Sequence, residues 1–204
     1  MEIVRSNPEV MITAWSSAAL SPAVSVCYNR PPDSGRLARV VKQGHLSVLR
    51  HGFASFEISG ISRACGRQLL RKAHADYVEM SQRYCDMDNP RFIVSKELYD
   101  AYNSKIGGMQ KLESVFGKAM DEYRYAREIG ISRQSSRYLL PQCVETKMVM
   151  SGNLQMWWDF FNLRISPRVE RECLDVAKEI LRTLICACPK VFGLHPKTEE
   201  VGSG

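Results

Sequence analysis

Residues 52–59, with the sequence GFASFEIS, carry aromatic or apolar groups on both faces if they form a strand. Side chains alternate between the two faces, so one face presents Phe53, Ser55 and Glu57 and the other presents Ala54, Phe56 and Ile58. Apolar groups on both faces are typical of a strand in a covered sheet. The segment therefore predicts a strand that lies in a sheet between packed helices.

Other segments predict the elements around this strand. Alternation predicts strands at 9–16 and 143–151, and the polar segment 28–35 predicts a loop before a short helix at 36–43 and a connector at 45–51. Helical patterns cover 61 to about 74, 96–128 with a break at Gly107 and Gly108, 154–164 capped by Asn153, and Pro167 to about Cys186.

Together these elements indicate an α+β fold, a single domain in which helices pack around a mainly antiparallel sheet. A chain of 204 residues with 45% apolar content can bury one such core. We assign the domain to residues 1–190 and expect residues 191–204 to form a flexible C-terminal tail.

The composition limits the classes of partner. A net charge of +6 favours an anionic partner, which could be a phosphate-bearing small molecule, a nucleic acid or a membrane surface. Seven cysteines without regular spacing, and an amino terminus without an apolar signal, favour a reducing cytoplasm. No stretch approaches the roughly 18 apolar residues of a membrane span. The spacing of Cys186, Cys188 and the histidines fits no common zinc site, so we expect no metal.

The densest polar cluster runs from Arg67 to Tyr84. Arg63, Arg67 and Arg71 stand four residues apart and would line one face of a helix. Guanidinium groups suit phosphate, and a nearby glutamine or glutamate can read the polar edge of a pyrimidine. By spacing alone, a solvated basic helix face explains the same pattern. A second polar cluster spans 133–141, and a third, at 153–164, combines Trp and Phe residues with Asp159 and Arg164.

Six segments of the chain, taken in order, resemble the flavin-dependent thymidylate synthase family. They read GHLSVLRH, FASFEISGISRACGRQLLR, SQRY, SRYLLP, SGNLQMWWDFFNLR and RVERECLDVA. The family signature is Arg-His-Arg, seven residues and then Ser, and Arg71 and Ser81 stand at that separation. Glu79, Arg83 and Tyr84 are also in place.

The resemblance implies a set of site residues. It implies that the nucleotide is bound by Gln68, Arg71, Glu79, Ser81, Gln82, Arg83, Arg137 and Arg164, with Arg164 and Ser81 as the catalytic candidates. It implies that the cofactors contact His45, Ser47, Arg50, Arg71, Lys72, His74, Glu79, Asn153 and Asp159. The family also implies a homotetramer whose sites are shared between subunits.

Several positions depart from the family pattern. The second and third signature positions are Lys72 and Ala73, an acidic position near the flavin is Arg50, and the usual Asn-x-Arg ends in Gln155. Asp159 replaces a usual Asn or His. We expect either that His74 and Arg50 compensate for the lost charge or that flavin binding or the reaction differs here.

The implied function is flavin-dependent C5-methylation of a uridine nucleotide, UMP and/or dUMP. The resemblance implies FAD as cofactor, with methylenetetrahydrofolate and NADPH as co-substrates and no cysteine nucleophile. The altered signature favours a specialised relative, such as the uridylate 5-methylase of polyoxin-type antibiotic pathways, and dCMP stays open as a substrate. The alternatives are a catalytically silent nucleotide-binding relative and a basic nucleic-acid-binding module. On the main reading we expect neither a nucleic-acid nor a membrane partner.

Overall fold

The computed structural model describes residues 2–202. Its strands are β1 (Glu2–Arg5), β2 (Glu9–Ser16), β3 (Phe53–Ser62), β4 (Asp76–Glu79), β5 (Arg91–Val94) and β6 (Glu145–Asn153). Its helices are α1 (Leu20–Tyr28), α2 (Ser34–Lys42), α3 (Arg63–Leu69), α4 (Lys96–Asn103), α5 (Gly108–Glu128), α6 (Arg133–Ser136), α7 (Leu154–Arg164), α8 (Arg171–Ala187) and α9 (Pro189–Phe192). Short 3-10 segments cover Leu46–His51, Arg137–Leu139 and Thr198–Val201.

A four-stranded sheet in the order β2-β3-β6-β4 lies at the centre, and each neighbouring pair in it is antiparallel. β1 and β5 form a separate parallel pair. The strand predicted from residues 52–59 is β3, which lies between β2 and β6. The predicted α+β fold with a mainly antiparallel sheet is therefore confirmed.

Helices cover the face of β3 that presents Ala54, Phe56 and Ile58, and all three side chains are fully buried. Trp157 on α7 packs edge-on against Phe56, with 5.1 Å between ring centroids. Its indole Nε1 donates to the carbonyl oxygen of Ala54 over 3.1 Å. A buried indole needs such a partner, so this bond fixes α7 on the sheet. α8 adds an apolar stripe that includes the buried Ile180.

The opposite face of the sheet is open within this chain. Phe53 is 42% exposed, Met11 is 57% exposed and Val78 is 74% exposed. Register places Met11 beside Glu57 and Val78 beside Val149, so these side chains share the face of Phe53. The expectation of cover on both faces is wrong for a single chain, because its helices pack on one side.

A second, smaller core lies under the α4–α5 pair. Phe92 on β5 stacks on Phe116 of α5, with centroids 4.8 Å apart. The predicted break between the two helices is confirmed, since Gly107 has φ of +68° and Gly108 packs against the turn. A Cβ at Gly108 would lie 2.0 Å from the carbonyl oxygen of Tyr102, which leaves room for glycine alone.

Two helix boundaries differ from the prediction. The helix expected over 61–74 covers only Arg63–Leu69, because β3 continues through Ser62 and the Ser62 hydroxyl then caps α3 by accepting from the Cys65 amide at 3.0 Å. The final helix begins at Arg171 rather than at Pro167, because the Ser166 side chain and carbonyl hold the next residues in a turn.

The sequence patterns did not indicate α1 or the short strands β1, β4 and β5. The segment after Pro189, expected to be loose, forms α9 and the 3-10 segment Thr198–Val201 and buries part of its side chains. Val191 and Phe192 are fully buried, and His195 Nε2 lies 3.1 Å from the Trp158 carbonyl oxygen. Residues 203–204 of the expected tail lie outside the described residues.

Candidate functional site

A cavity of about 380 Å³ is lined by three arginines, and we call it the arginine cavity. Its lining residues are Arg63, Arg67, Gln82, Arg137, Tyr138, Leu140, Pro141 and Gln142. α3 presents Arg63 and Arg67 one turn apart, and Arg137 begins the 3-10 segment at Arg137–Leu139. α3 and the 3-10 segment Arg137–Leu139 thus place three guanidinium groups around the arginine cavity.

The charge of Arg63 is balanced inside the chain. Its Nη1 lies 3.2 Å from Glu79 Oε1 and donates to the Met80 carbonyl oxygen at 3.1 Å. Thr146 also donates to Glu79 Oε1. The side chains of Arg63 and Glu79 are only 18% and 10% exposed, so solvent screens this pair less than a surface ion pair. Gly66 makes room for it, because a Cβ there would lie 2.8 Å from Glu79 Oε1.

The turn after β4 holds the next predicted nucleotide residues. Ser81 Oγ accepts from the Arg83 amide at 3.2 Å, and the Ser81 carbonyl accepts from the Cys85 amide at 2.9 Å. This turn buries Gln82, which lines the arginine cavity, while Arg83 lies over the exposed ring of Tyr84. Ser81 and Arg83 therefore neighbour the cavity in sequence without lining it.

Gln68 and Arg164 are in direct contact with each other. Arg164 Nη2 donates to the Gln68 backbone carbonyl at 3.0 Å, and Gln68 Nε2 donates to Glu170 Oε2. Within residues 2–202, the buried Arg164 Nε has no hydrogen-bond partner. Nearby, the Tyr77 hydroxyl donates to the carbonyl oxygens of Leu69 and Lys72, and burial raises the pKa of this tyrosine. Neither Gln68 nor Arg164 lines the arginine cavity.

A second cavity, of about 390 Å³, lies where β6 meets α7, and we call it the β6–α7 cavity. Its lining residues are Arg50, Lys72, His74, Asn153, Gln155, Met156 and Asp159. Asn153 Oδ1 caps α7 by accepting from the Met156 amide at 2.8 Å, so its amide group is fixed at the cavity edge. The cavity gathers three basic side chains and one carboxylate.

Arg50 and Gln155 join across this cavity. Arg50 Nε donates to Gln155 Oε1 at 2.8 Å, a contact between residues 105 positions apart. His74 is held at a positive φ of 64°, which turns the chain back toward β4 after Lys72. Two departures from the family pattern, at positions 50 and 155, are thus in direct contact.

The predicted site residues therefore fall into separate groups. Gln82 and Arg137 line the arginine cavity, and Arg50, Lys72, His74, Asn153 and Asp159 line the β6–α7 cavity. His45, Ser47 and Arg71 are exposed and line neither cavity. The predicted site set omitted Arg63, Arg67 and Tyr138, although the four-residue spacing of the first two was a usable signal.

Two cysteines and one buried carboxylate lie in environments that favour their protonated forms. A hydrogen bond with Cys173 and burial raise the pKa of Cys65, and burial raises the pKa of Cys143 to about 11. A raised pKa disfavours the thiolate that a nucleophile requires. Glu172 is 3% exposed, and its oxygens accept from the Ser62 amide and hydroxyl at 2.7 Å each. Burial raises its pKa.

Among residues 2–202, no helix is both long enough and apolar enough to cross a bilayer. The same part of the chain contains no group of three or more His, Cys, Asp or Glu side chains arranged to hold a metal ion.

Comparison with known proteins identifies the family. Residues 11–190 match the profile of the thymidylate synthase complementing protein family. A flavin-dependent thymidylate synthase of Mycobacterium marinum is 33% identical over 171 residues, which cover 78% of this chain and 68% of the relative. Proteins of the same name from Mycobacterium avium and Mycobacterium tuberculosis are 32% identical over the same shares. This chain belongs to the thymidylate synthase complementing protein family.

Proposed function

We propose that the chain methylates a uridine nucleotide, dUMP and/or UMP, at the pyrimidine 5-carbon with FAD, methylenetetrahydrofolate and NADPH. The names of its relatives support the reaction class. The observation that carries the proposal is the charge of the arginine cavity.

That charge fits a nucleoside monophosphate. Arg63 is paired with Glu79, so among the cavity arginines Arg67 and Arg137 are the two without a salt bridge to residues 2–202. A phosphate monoester carries about −1.5 to −2 charges at neutral pH. Two arginines therefore balance one terminal phosphate, and the buried Gln82 adds a polar group beside it.

Gln68 and Arg164 are suited to the base. Arg164 keeps donor groups beyond the one bonded to Gln68, and its Nε is buried without a partner in the described chain. An arginine at a uracil carbonyl oxygen stabilises enolate character and makes the 5-carbon more nucleophilic. Arg164 is thus the catalytic candidate, and the raised pKa values of Cys65 and Cys143 agree with a reaction that needs no thiolate.

The β6–α7 cavity is the FAD site in this proposal. Arg50, Lys72 and His74 offer donors for its diphosphate, while Met156 offers an apolar contact for a ring. Arg50, held by Gln155, supplies a guanidinium to the cavity that Lys72 and His74 also line, and these two residues flank Ala73, where the family pattern has an arginine. When bound, the flavin relays the one-carbon unit and the reducing equivalents.

A complete site needs more than one subunit in this proposal. Gln68 and Arg164 do not line the cavity that holds Gln82 and Arg137, and a nucleotide site completed by a second chain would bring the two sets together. The open sheet face, with Phe53 and Val78 exposed, offers an apolar surface for such contacts. We propose a homotetramer on this basis.

The function is tested by incubating the purified protein with FAD, NADPH, methylenetetrahydrofolate and dUMP, UMP or dCMP in parallel. A product heavier by one methylene group identifies the substrate. Nucleotide binding without product from any of the three would instead support a catalytically silent relative. Salt-sensitive binding to random DNA without bound flavin would support the nucleic-acid-binding alternative.

A further inference from the structure

The side-chain amide of Gln68 is fixed in one orientation by Glu170, the residue that precedes α8. Gln68 Nε2 donates to Glu170 Oε2, and the two residues are 102 positions apart in the sequence. A carboxylate has acceptors and no hydrogen to donate, so only the NH₂ end of the glutamine can face it. The usual ambiguity between the two ends of a glutamine amide is thereby removed.

This orientation leaves the Gln68 carbonyl end available to a ligand. Within the described chain, Gln68 Oε1 accepts no hydrogen bond. The same residue is tied to Arg164, whose Nη2 donates to the Gln68 backbone carbonyl at 3.0 Å. An acceptor at Gln68 and donors at Arg164 therefore belong to one small recognition surface.

Uracil and cytosine differ in what they present to such a surface. Uracil presents an N3–H donor between two carbonyl oxygens, whereas cytosine presents an unprotonated N3 acceptor beside an amino group. An acceptor fixed at Gln68 can bond to the uracil N3–H, but it meets a lone pair on cytosine. When a ligand leaves a polar group of the site without a hydrogen-bond partner, the site discriminates strongly against that ligand.

We propose that Glu170 is a positioning residue that sets the preference of the nucleotide site for uracil over cytosine by orienting Gln68. The proposal rests on the proposed function, in which Gln68 contacts the pyrimidine. Glu170 itself need not touch the nucleotide. Its effect is on which end of the Gln68 amide the base meets.

The test measures equilibrium binding of dUMP and dCMP to the FAD-loaded protein by calorimetry. If the bound base covers Gln68, an acceptor that dCMP leaves unpaired corresponds to a preference of about tenfold or more for dUMP in the wild type. In Glu170→Gln the Gln68 amide can turn either end outward, so the dUMP-to-dCMP ratio should fall to within about threefold. The melting temperature of each variant, measured in parallel, reports whether it folds.

Two further variants separate orientation from general damage. The double variant Gln68→Glu with Glu170→Gln reverses the pair, keeps an acceptor at position 68 and should restore the dUMP preference. Glu113→Gln removes one exposed carboxylate from α5 and should leave the ratio unchanged. An undiminished ratio in Glu170→Gln, or a double variant that does not recover it, would overturn the proposal. If the wild-type protein binds neither nucleotide, the proposed function is overturned as well. If the wild type prefers dUMP and Glu170→Gln keeps that preference, the proposed function stands and only the role of Glu170 is wrong.

Discussion

Arg50 gives the sharpest test of how the β6–α7 cavity holds FAD. In Arg50→Ala, the guanidinium that bonds to Gln155 is removed, while the core is untouched because Arg50 is exposed. A charge-assisted hydrogen bond contributes about 1.5–3 kcal/mol, and we take the lower end because water reaches this side chain before FAD binds. The dissociation constant for FAD should therefore rise about tenfold, at about 1.4 kcal/mol per factor of ten.

Gln155→Ala tests the role of the contact itself. Gln155 holds Arg50 in place over 2.8 Å, so its loss should free the arginine without removing the charge. FAD binding would then have to immobilise the freed Arg50 side chain, which costs about 0.5–1.5 kcal/mol. This predicts a rise of about two- to tenfold in the dissociation constant for FAD. Since Gln155 acts through Arg50, the double variant should bind FAD no more weakly than Arg50→Ala alone.

Flavin fluorescence during an equilibrium titration measures these constants without requiring turnover. Arg30→Ala is the matched control, because Arg30 is an exposed arginine that lines neither cavity. A dissociation constant for Arg50→Ala within about twofold of that of Arg30→Ala would refute the assignment of Arg50. Strictly additive effects of the two substitutions would refute the coupling between Arg50 and Gln155.

Three other predictions concern turnover, assembly and stability. Arg164→Ala should keep the fold, as measured by circular dichroism, and lower kcat by about 10²-fold or more in methyl-transfer assays. Near-normal turnover of this variant would remove Arg164 from the mechanism. Mixing inactive Arg164→Ala and Arg137→Ala proteins should restore some activity if sites are shared between subunits, and no recovery after verified subunit exchange would argue against sharing. Burial raises the pKa of Glu172, so its folded form holds the proton more tightly than the unfolded chain does. The free energy of unfolding of the wild type, relative to that of Glu172→Gln, should therefore fall as pH rises through that raised pKa. Denaturant titrations at several pH values measure both free energies, and a difference between them that does not change with pH would contradict the prediction.

The sequence predicted those elements whose signals are local. β3 follows from alternation, α7 from the Asn153 cap, and the α4–α5 break from Gly107 and Gly108. β1, β4 and β5 have four residues each, too few for a pattern, and β1 pairs with β5 about 90 residues away. Their existence depends on tertiary pairing, which no local window reveals.

The same distinction applies to the candidate site. The spacing of Arg63 and Arg67 was visible as a stripe, whereas the contacts of Arg50 with Gln155 and of Gln68 with Glu170 cross about 100 residues. The resemblance supplied residue identities but not these partners. The sequence shows only that Gln155 ends the usual Asn-x-Arg, whereas the fold shows that its side-chain amide oxygen accepts from the arginine at position 50.

Ser62 joins three parts of the molecule, and this has a consequence for redesign. It ends β3, caps α3 and receives Glu172 from α8 through both its amide and its hydroxyl. The orientation of α3, and with it the direction of Arg63 and Arg67, is therefore set by buried contacts of Ser62 rather than by residues at the rim of the arginine cavity. Libraries that aim to change the accepted phosphate group should keep Ser62 and Glu172 constant and vary the rim at Tyr138, which is 84% exposed.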